Sequence, residues 1–359
     1  MPLNTFAPPS IRQRSQSLLM LVAMFCAAPL AAADFGDGFE SPLKSPPRGL
    51  YHSAGPTRTG APAAMDSTAS GSSRVRGTLI RVAWAELHPG PGQFDFDLLD
   101  REFERAAALD KRISLGVLDS WNQPAWLLAR CATFQFTFRG TTKVACLPWD
   151  TAYLEHKAAL LQALGERFDA NPQLVQVYFT YAAMTNGIEM HWRVDEAAFA
   201  AAGYTPTRLA DTYAQVFDLH ANAFPSTPIS IEVHEVFGSA ALATSAYAHC
   251  RGRIGHRCGV AIWWCARRMT VAPNGESDVW PIAQDAALNS FLTCQTIDNF
   301  TQHPESFDEG AGWTPLHALQ NEWAFMYAQG ANHWELWSVE VTNAEFQSAL
   351  QDYADLLDP

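Results

Sequence analysis

The sequence has few basic residues and almost no long apolar run. Its 359 residues include 24 Lys and Arg against 37 Asp and Glu, so the formal net charge is −13 at pH 7. A chain this negative repels phosphates and anionic surfaces, and we expect no nucleic acid partner. After residue 33 no segment reaches about 18 consecutive apolar residues, which argues against membrane insertion. We also find no internal repeat and no glycine-rich phosphate-binding turn.

The exception is the N-terminus, where Arg12 and Arg14 precede the apolar run SLLMLVAMFCAAPLAAA. This pattern predicts a secretory signal peptide over residues 1–33, cleaved after Ala33, and therefore a secreted or periplasmic protein. Cleavage removes two arginines and no acid, so the mature charge is −13 − 2 = −15. Residues 34–47 are rich in Gly, Pro and Ser and predict a flexible linker. We expect residues 48–359 to form one domain, and the protein to be a monomer.

Six cysteines follow the predicted leader, an even number that indicates disulfides in an exported chain. Proximity in sequence favours the pairs Cys131–Cys146 and Cys250–Cys258, which leaves Cys265–Cys294 as the third pair. The first pair would close a small hairpin, because Phe residues alternate with polar residues between its two cysteines. We expect this hairpin near the mouth of the barrel that the strand pattern below predicts. The segment HCRGRIGHRC could instead form a His/Cys metal site, although its spacing matches none of the usual zinc patterns.

Strand and helix patterns alternate along the chain. Apolar or β-branched runs predict strands over residues 48–53, 77–84, 112–119, 174–182, 228–237, 259–266, 314–322 and 332–341. Amphipathic segments between them predict helices, including 96–110, 150–168 and a helix that follows Thr205 and Pro206. Such alternation indicates a parallel sheet, and eight strands close a (β/α)8 TIM barrel. The alternative, an open doubly wound sheet, usually carries a glycine-rich turn after its first strand. None is present, which favours the barrel.

Polar and aromatic residues collect where the predicted strands end, which is where TIM barrels carry their chemistry. The candidates are Trp84, Glu86, Asp119, Trp121, Asn186, Glu189, His191, Trp192, His234, Glu322, Glu335 and Trp337. Indoles stack on the CH faces of sugars, and two carboxylates suffice to cleave a glycosidic bond. The 12 tryptophans of the chain supply such platforms. Taken singly, a tryptophan is more often a core residue than a ligand platform, and Glu86, Glu235 or Glu335 alone is more often structural.

One long segment carries a family resemblance. Residues 82–127, VAWAELHPGPGQFDFDLLDREFERAAALDKRISLGVLDSWNQPAWL, resemble the region from the second to the third strand of clan A glycoside hydrolases, and the family-42 β-galactosidases most of all. The matching positions are Trp84, Glu86, Pro89, Gly92, Phe94, Phe96, Asp100 and Pro124 to Trp126. Residues 147–179 are similar to the helix and strand that follow. The resemblance is good from Thr78 to Trp192.

The resemblance implies a retaining β-glycosidase that needs no metal or cofactor. Clan A enzymes place the acid/base at the end of strand four and the nucleophile at the end of strand seven, which here predicts Glu189 and Glu322. For retention their carboxyl groups should lie about 5–5.5 Å apart. Glu335 replaces Glu322 if the strand count is off by one. The other candidates would bind an oligo- or polysaccharide, and Trp121, Trp192 and Trp337 would stack on sugar rings.

The sequence departs from this family at one position. The family has Asn directly before the acid/base, whereas this chain has Ile188, with Asn186 two residues earlier. The departure leaves open a carbohydrate-binding barrel without hydrolysis. A further alternative is a structural exported domain, because a fold alone does not prove an activity.

Overall fold

The structure is a computed structural model that describes residues 42–271, 276–308 and 312–357. The predicted signal peptide and residues 34–41 of the predicted linker lie outside these ranges. Lys44, near the end of that linker, is bonded to the folded domain. Its ammonium group donates to the carbonyl oxygens of Asn171 and Leu174, both at 2.9 Å. The described residues belong to one compact unit.

Eight parallel strands close a barrel, which confirms the predicted TIM-barrel fold. In chain order they are β1 (Gly49–Ser53), β2 (Gly77–Ala83), β3 (Arg112–Leu118), β6 (Leu174–Tyr178), β7 (Ile229–Glu232), β8 (Cys258–Cys265), β9 (Leu292–Thr296) and β10 (Ala331–Trp337). The first strand pairs with both β2 and β10, which closes the sheet. Two further strands, β4 (Thr133–Phe138) and β5 (Thr141–Cys146), form a separate antiparallel hairpin after β3.

Helices surround the barrel. The longer ones are α3 (Asp97–Ala108), α5 (Thr151–Phe168), α7 (Pro206–Ala223), α8 (Ala241–Ile254), α9 (Trp280–Asn289), α11 (Pro315–Ala328) and α13 (Gln347–Leu357). The shorter ones are α1 (Thr68–Gly71), α2 (Trp84–Leu87), α4 (Ala125–Leu128), α6 (Glu196–Ala201), α10 (Glu305–Asp308) and α12 (Ser338–Val341). Asp150 and Thr205 cap α5 and α7, as the sequence predicts. In the described part of the chain, no helix is long and apolar enough to cross a membrane.

The strand predicted over residues 314–322 is wrong, because this segment lies in helix α11. Thr314 caps the helix and Pro315 opens it, the same signal that starts α7. The seventh barrel strand is β9, with the sequence LTCQT. All five of its residues are buried, but three of them have polar side chains. The strand therefore lacks the continuous apolar run by which a buried parallel strand is recognised in a sequence. One missed strand and one misassigned segment therefore left the predicted total at eight.

The three predicted disulfides are confirmed. Cys131–Cys146 closes the hairpin of β4 and β5, and Cys250–Cys258 joins α8 to the start of β8. Cys265–Cys294 links the neighbouring strands β8 and β9. Because Cys250 and Cys258 bond to each other, their thiols are not free to ligate a metal, and the alternative His/Cys site in HCRGRIGHRC is wrong.

Candidate active site

The chain leaves the barrel after β6 and returns at Glu189. The backbone N–H of Tyr181 donates to the carbonyl oxygen of Gly187 at 3.0 Å, which closes the excursion. Gly187 has φ +85°, and a Cβ added there would lie 2.4 Å from the backbone nitrogen of Asp119. Only glycine fits this turn without displacing the backbone after β3. The turn thus sets where Ile188 and Glu189 re-enter the mouth of the barrel.

Ile188 fills the barrel interior at the position where the resembling family has Asn. It is 3% exposed and packs in a cluster with Leu79, Leu118, Tyr178 and Trp263. Gly116 on β3 makes room for it, since a Cβ there would lie 2.7 Å from Ile188 Cδ1. The departure from the family therefore has a structural reason: this side chain serves as an apolar plug.

Asn186 supplies the amide that Ile188 lacks. Its Nδ2 donates to Glu189 Oε2 at 2.7 Å, and its Oδ1 accepts from the backbone N–H of Glu189 at 3.1 Å. The same oxygen accepts from the N–H of Ile188 at 2.9 Å. Because the amide is itself held by two backbone donors, it orients the carboxylate of Glu189, whose side chain is partly exposed.

Glu335 lies inside the barrel on β10. The hydroxyl of Tyr178 donates to its Oε1 at 2.7 Å, and among the described residues its Oε2 has no hydrogen-bond partner. Glu335 is fully buried. Burial raises its pKa to about 8, although the Tyr178 hydrogen bond and the charge of Arg81 act in the opposite direction. A carboxyl group with a free oxygen at this place has the chemistry of a nucleophile or an acid.

Arg81, on β2, connects the two carboxylates electrostatically. Burial lowers the pKa of its guanidinium, and the negative charges of Glu335 and Glu189 oppose this shift. Its Nε donates to the carbonyl oxygen of Ala54 at 3.1 Å. Its guanidinium carbon lies 5.7 Å from the ring centres of both Trp263 and Trp337. We call Glu189, Glu335, Arg81 and Tyr178, with these two indoles, the central site.

Sequence reasoning missed three members of this site. Arg81 was visible as a lone charge inside the apolar strand GTLIRVAW, a position that calls for a buried counter-charge. Tyr178 and Trp263 lie in strands whose residues are almost all apolar. In such a strand the sequence does not show which side chains point into the barrel and which point toward the helices.

A second group of charged side chains lies beside Glu189. Glu232 ends β7, and its Oε2 accepts from the backbone N–H of Met190 at 2.8 Å. Its Oε1 lies 2.9 Å from Nε2 of His234, whose Nδ1 lies 2.6 Å from Oε1 of Glu276. The ring of His191 stands over that of His234, with 3.4 Å between their centres. We call His191, Glu232, His234 and Glu276 the histidine cluster.

Burial and charge act against each other in the histidine cluster. Burial raises the pKa of Glu232 to about 7, with a contribution from the charge of Glu189 and an opposing one from His234. Burial lowers the pKa of His234, but Glu232 and Glu276 outweigh it and raise the pKa to about 10. The pKa of His191 falls to about 2, because its ring is buried and faces His234. His234 is therefore the cation of the cluster and His191 its neutral ring.

Glu322 is not at the end of a strand. It lies on α11, is 1% exposed and accepts from the backbone N–H of Arg267 through Oε2 at 2.6 Å. Burial raises its pKa to about 7. The nucleophile position predicted for Glu322 rested on the misassigned strand, so that premise is wrong. Of the two glutamates considered, Glu335 is the one that lies in a barrel strand.

Three other predicted sugar-binding residues are engaged by the protein itself. Trp84 is fully buried, and its Nε1 donates to His88 at 3.1 Å. Asp119 is buried against Lys157, whose ammonium group lies 2.8 Å away, and it also accepts from the Tyr153 hydroxyl. Glu86 accepts from Thr59 Oγ1 at 2.5 Å.

The three predicted stacking residues differ from each other. Trp192 is 6% exposed and packs on Tyr181 and Phe199, so it belongs to the core rather than offering an open face. Trp121 and Trp337 are partly exposed. The ammonium group of Lys143, from the hairpin, lies 4.0 Å above the Trp121 ring. Two of the three indoles therefore keep a face that is open in part.

Comparison with known proteins gives a consistent result. Residues 73–222 match the family model of glycoside hydrolase family 42, described as β-galactosidase. The chain resembles the clan A glycoside hydrolases. A search of curated proteins found no match.

Solved structures show the same barrel. The catalytic domain of β-amylase from Paenibacillus polymyxa superposes with a TM-score of 0.56 at 10% identity, over 88% of this chain and 100% of that chain. A mutant of xylanase 10C from Cellvibrio japonicus, in complex with xylopentaose, gives 0.51 at 11% identity, over 88% of this chain and 67% of that chain. At such identities the likeness concerns the fold, and the site must be argued from its own residues.

Proposed function

We propose that the protein is an exported glycosidase that cleaves a β-glycosidic bond with retention of configuration. Glu189 is the acid/base and Glu335 the nucleophile. The observation that carries the proposal is Arg81, a buried cation on which the charges of both carboxylates act. Glu189 follows the fourth barrel strand, where the resembling family has its acid/base. Glu335 is the only glutamate in β10, the last barrel strand.

The reaction has two steps. Ionised Glu335 attacks the anomeric carbon, the bond to the leaving oxygen breaks, and protonated Glu189 gives its proton to that oxygen. Glu189 then takes a proton from water, whose oxygen attacks the anomeric carbon and releases Glu335. Tyr178 and Arg81 favour the ionised form of Glu335 against the effect of burial. Asn186 holds Glu189 in place for both proton transfers.

Neutral oligo- or polysaccharides are the substrates that this site suits. Trp337 lies beside Arg81 and is partly exposed, and such an indole face stacks on the CH face of a sugar ring. The hairpin carries Arg139 at its turn, and the charge of Arg139 acts on Arg81. The net charge of −13 disfavours anionic polymers.

One observation favours a second function, a carbohydrate-binding barrel without hydrolysis. The resemblance places the nucleophile at the seventh strand, and β9 has Gln295 and no carboxylate over Leu292–Thr296. Gln295 accepts from the hydroxyl of Ser53 at 2.7 Å. An amide cannot act as an ionised nucleophile, so a barrel that relied on this strand would bind sugars and leave them intact.

Turnover of chromogenic β-glycosides by the purified protein tests the proposal. We expect the wild type to hydrolyse at least one of them, and NMR to show the first-formed sugar in the configuration of the substrate. Glu335→Gln should lose turnover and retain sugar binding. The matched control is Glu322→Gln, the same change at an equally buried glutamate on a helix. Full turnover by Glu335→Gln would refute the nucleophile assignment, and oligosaccharide binding without wild-type turnover would establish the second function.

Export has its own test. Mass spectrometry of protein recovered from outside the cytoplasm should find Asp34 as its first residue, as cleavage after Ala33 requires. Recovery of the uncleaved chain from the cytoplasm alone would contradict the predicted leader without affecting the glycosidase proposal.

A further inference from the structure

Three metal-ligating side chains meet in the histidine cluster. One donor atom from each of His191, His234 and Glu276 lies within 4.8 Å of the other two. They come from three separate segments: the loop after β6, the segment after β7 and the residues before α9. The glycosidase mechanism uses none of them.

We propose that His191, His234 and Glu276 bind one divalent transition-metal ion, and that Zn²⁺ is its best match. Two imidazoles and one carboxylate form a ligand set that zinc sites with an open fourth position use. Zinc–ligand bonds of about 2.0–2.2 Å in a tetrahedron place donor atoms about 3.3 Å apart. The present separations, from 2.6 Å between His234 and Glu276 to the 4.8 Å limit, bracket this value. Small rotations of the three side chains, with release to solvent of the proton that His234 carries on Nδ1, would therefore form the site.

Glu232 gives this ligand set the outer partner that metal-binding histidines require. Its Oε1 lies 2.9 Å from Nε2 of His234, which leaves Nδ1 as the atom that faces Glu276. A carboxylate on the far nitrogen fixes the tautomer and strengthens the histidine as a ligand. The N–H groups of Met190 and Trp263 hold Glu232 in turn. An isolated ion pair of His234 and Glu276 would not need this second carboxylate.

The other two ligands are also available. Oε2 of Glu276 accepts from the backbone N–H of Glu235 at 3.0 Å, which orients Oε1 toward His234. Among the described residues, His191 forms no hydrogen bond through its ring nitrogens, so its lone pair is unused. The cluster thus offers one oriented carboxylate oxygen, one oriented imidazole and one free imidazole.

The metal site can be tested independently of the glycosidase mechanism, because Glu189 and Glu335 are the reacting residues and neither is a metal ligand. It would still affect the central site, since His191 lies two residues after Glu189. An ion bound by His191 and His234 would tie the loop that carries Glu189 to the segment after β7.

Metal titration of the purified chain tests the proposal. After removal of metals with a chelator, calorimetry should show one Zn²⁺ bound per chain, and the melting temperature should rise with Zn²⁺ concentration. Co²⁺ in place of Zn²⁺ should give the visible absorption of a four-coordinate site. His191→Ala should weaken Zn²⁺ binding at least about 10-fold, while circular dichroism shows a folded chain.

His249→Ala is the matched control. His249 is a partly exposed histidine on α8 that pairs with an acid, Asp218, outside the cluster, and its removal should leave Zn²⁺ affinity unchanged. Glu232→Gln, which removes only the outer carboxylate, should weaken binding about 10–100-fold. A wild-type chain that binds no Zn²⁺, or a His191→Ala variant that binds it as the wild type does, would overturn the proposal. Equal losses in His191→Ala and His249→Ala would place the ion elsewhere and overturn it too.

Discussion

Glu335 in the barrel and Glu322 in the helical layer have nearly the same physical state. Both are buried, and burial raises the pKa of Glu335 to about 8 and that of Glu322 to about 7. Each has one oxygen without a hydrogen-bond partner among the described residues. Their surroundings differ. Glu335 meets the side chains of Tyr178 and Arg81 from two other strands. Glu322 meets the backbone N–H of Arg267 and the charges of Arg267 and Arg268, which all come from one short segment.

The comparison shows that burial and a raised pKa do not by themselves mark an active site. Structural carboxyl groups share both properties, as Glu340 also shows, with its pKa raised to about 8 by burial. What distinguishes the barrel residue is convergence: groups from β2, β6 and β10 point to one place. Convergence of this kind can bind and transform a ligand, whereas the groups around Glu322 come from one neighbouring segment, Arg267 and Arg268.

The largest expected difference between the two glutamates is in turnover. Glu335→Gln should lower kcat about 10²–10⁴-fold or more, because it removes the attacking oxygen, while Glu322→Gln should stay near wild type.

Glu189→Gln should differ from both. With nitrophenyl leaving groups that depart without a proton, its first step should survive and a glycosyl-enzyme should accumulate, visible as a burst in stopped-flow absorbance. Equal turnover in Glu335→Gln and Glu322→Gln would remove the distinction.

In stability the two glutamates should instead behave alike. A carboxyl group with a raised folded-state pKa binds more protons in the native than in the unfolded state, so its contribution to stability is present at low pH and is lost as pH rises. For Glu322 this pH window runs from the ordinary carboxyl pKa of 4.5 to about 7. The advantage of the wild type over Glu322→Gln in urea unfolding should therefore shrink by up to about 3 kcal/mol across this window. A pH-independent difference would show that the pKa of Glu322 is not raised.

Ile188→Asn restores the family's residue and tests whether the apolar plug matters. The amide would enter the cluster of Tyr178 and Trp263, and burying it without partners should cost about 1–3 kcal/mol of unfolding free energy. The control Ile188→Val keeps the site apolar and should cost about 0.5–1.5 kcal/mol. Thermal denaturation measures both. An Asn variant as stable as the Val variant would mean that the amide finds hydrogen-bond partners there.

The smallest expected effect is a pH shift from Arg81. As a nucleophile, Glu335 must be ionised, so kcat/KM should rise with pH through about 8 for nitrophenyl glycosides, whose leaving group departs without a proton from Glu189. Arg81→Met removes the cation that favours ionisation and should move this rise upward by about one pH unit. The pH profiles of both proteins, with folding checked by circular dichroism, provide the measurement. If activity instead falls as pH rises through about 8, Glu335 is the acid rather than the nucleophile.

Much of the fold could be predicted because its signals are local. Capping residues such as Asp150 and Thr205 start helices wherever they precede an amphipathic segment. Two of the disulfides also followed from proximity, since Cys131–Cys146 and Cys250–Cys258 each join cysteines that are close in sequence. Cys265–Cys294 was then the remaining pair. The strand β9 carried no such signal. Its polar residues Thr293 and Gln295 are buried inside the closed barrel, where Gln295 accepts a hydrogen bond from Ser53. Neighbouring residues in the sequence do not reveal this environment, so the sequence pattern predicts no strand there.

The candidate site was predictable only in outline. That carboxylates and indoles would meet at strand ends follows from the order of elements, because all strands of a parallel barrel end on the same face. Glu189, Asn186 and Trp337 were found this way. Trp192 was misplaced, since the loop after β6 turns it back against Phe199. Positive-φ residues such as Gly187 change the direction of the backbone in a loop. Each such change alters which way the later side chains point, so their orientation does not follow from the sequence.

By itself, the sequence determined the alternation of strands and helices, the parallel barrel that it closes, the disulfide pairs and the resemblance to glycoside hydrolases. These depend on periodicity, spacing and local capping, which neighbouring residues decide. Only the tertiary structure decided that Glu335 rather than Glu322 joins Arg81, and that His191, His234 and Glu276 meet beside Glu189. Both are contacts between residues far apart in the chain. Their energies arise from burial and charge that do not exist until the barrel has closed.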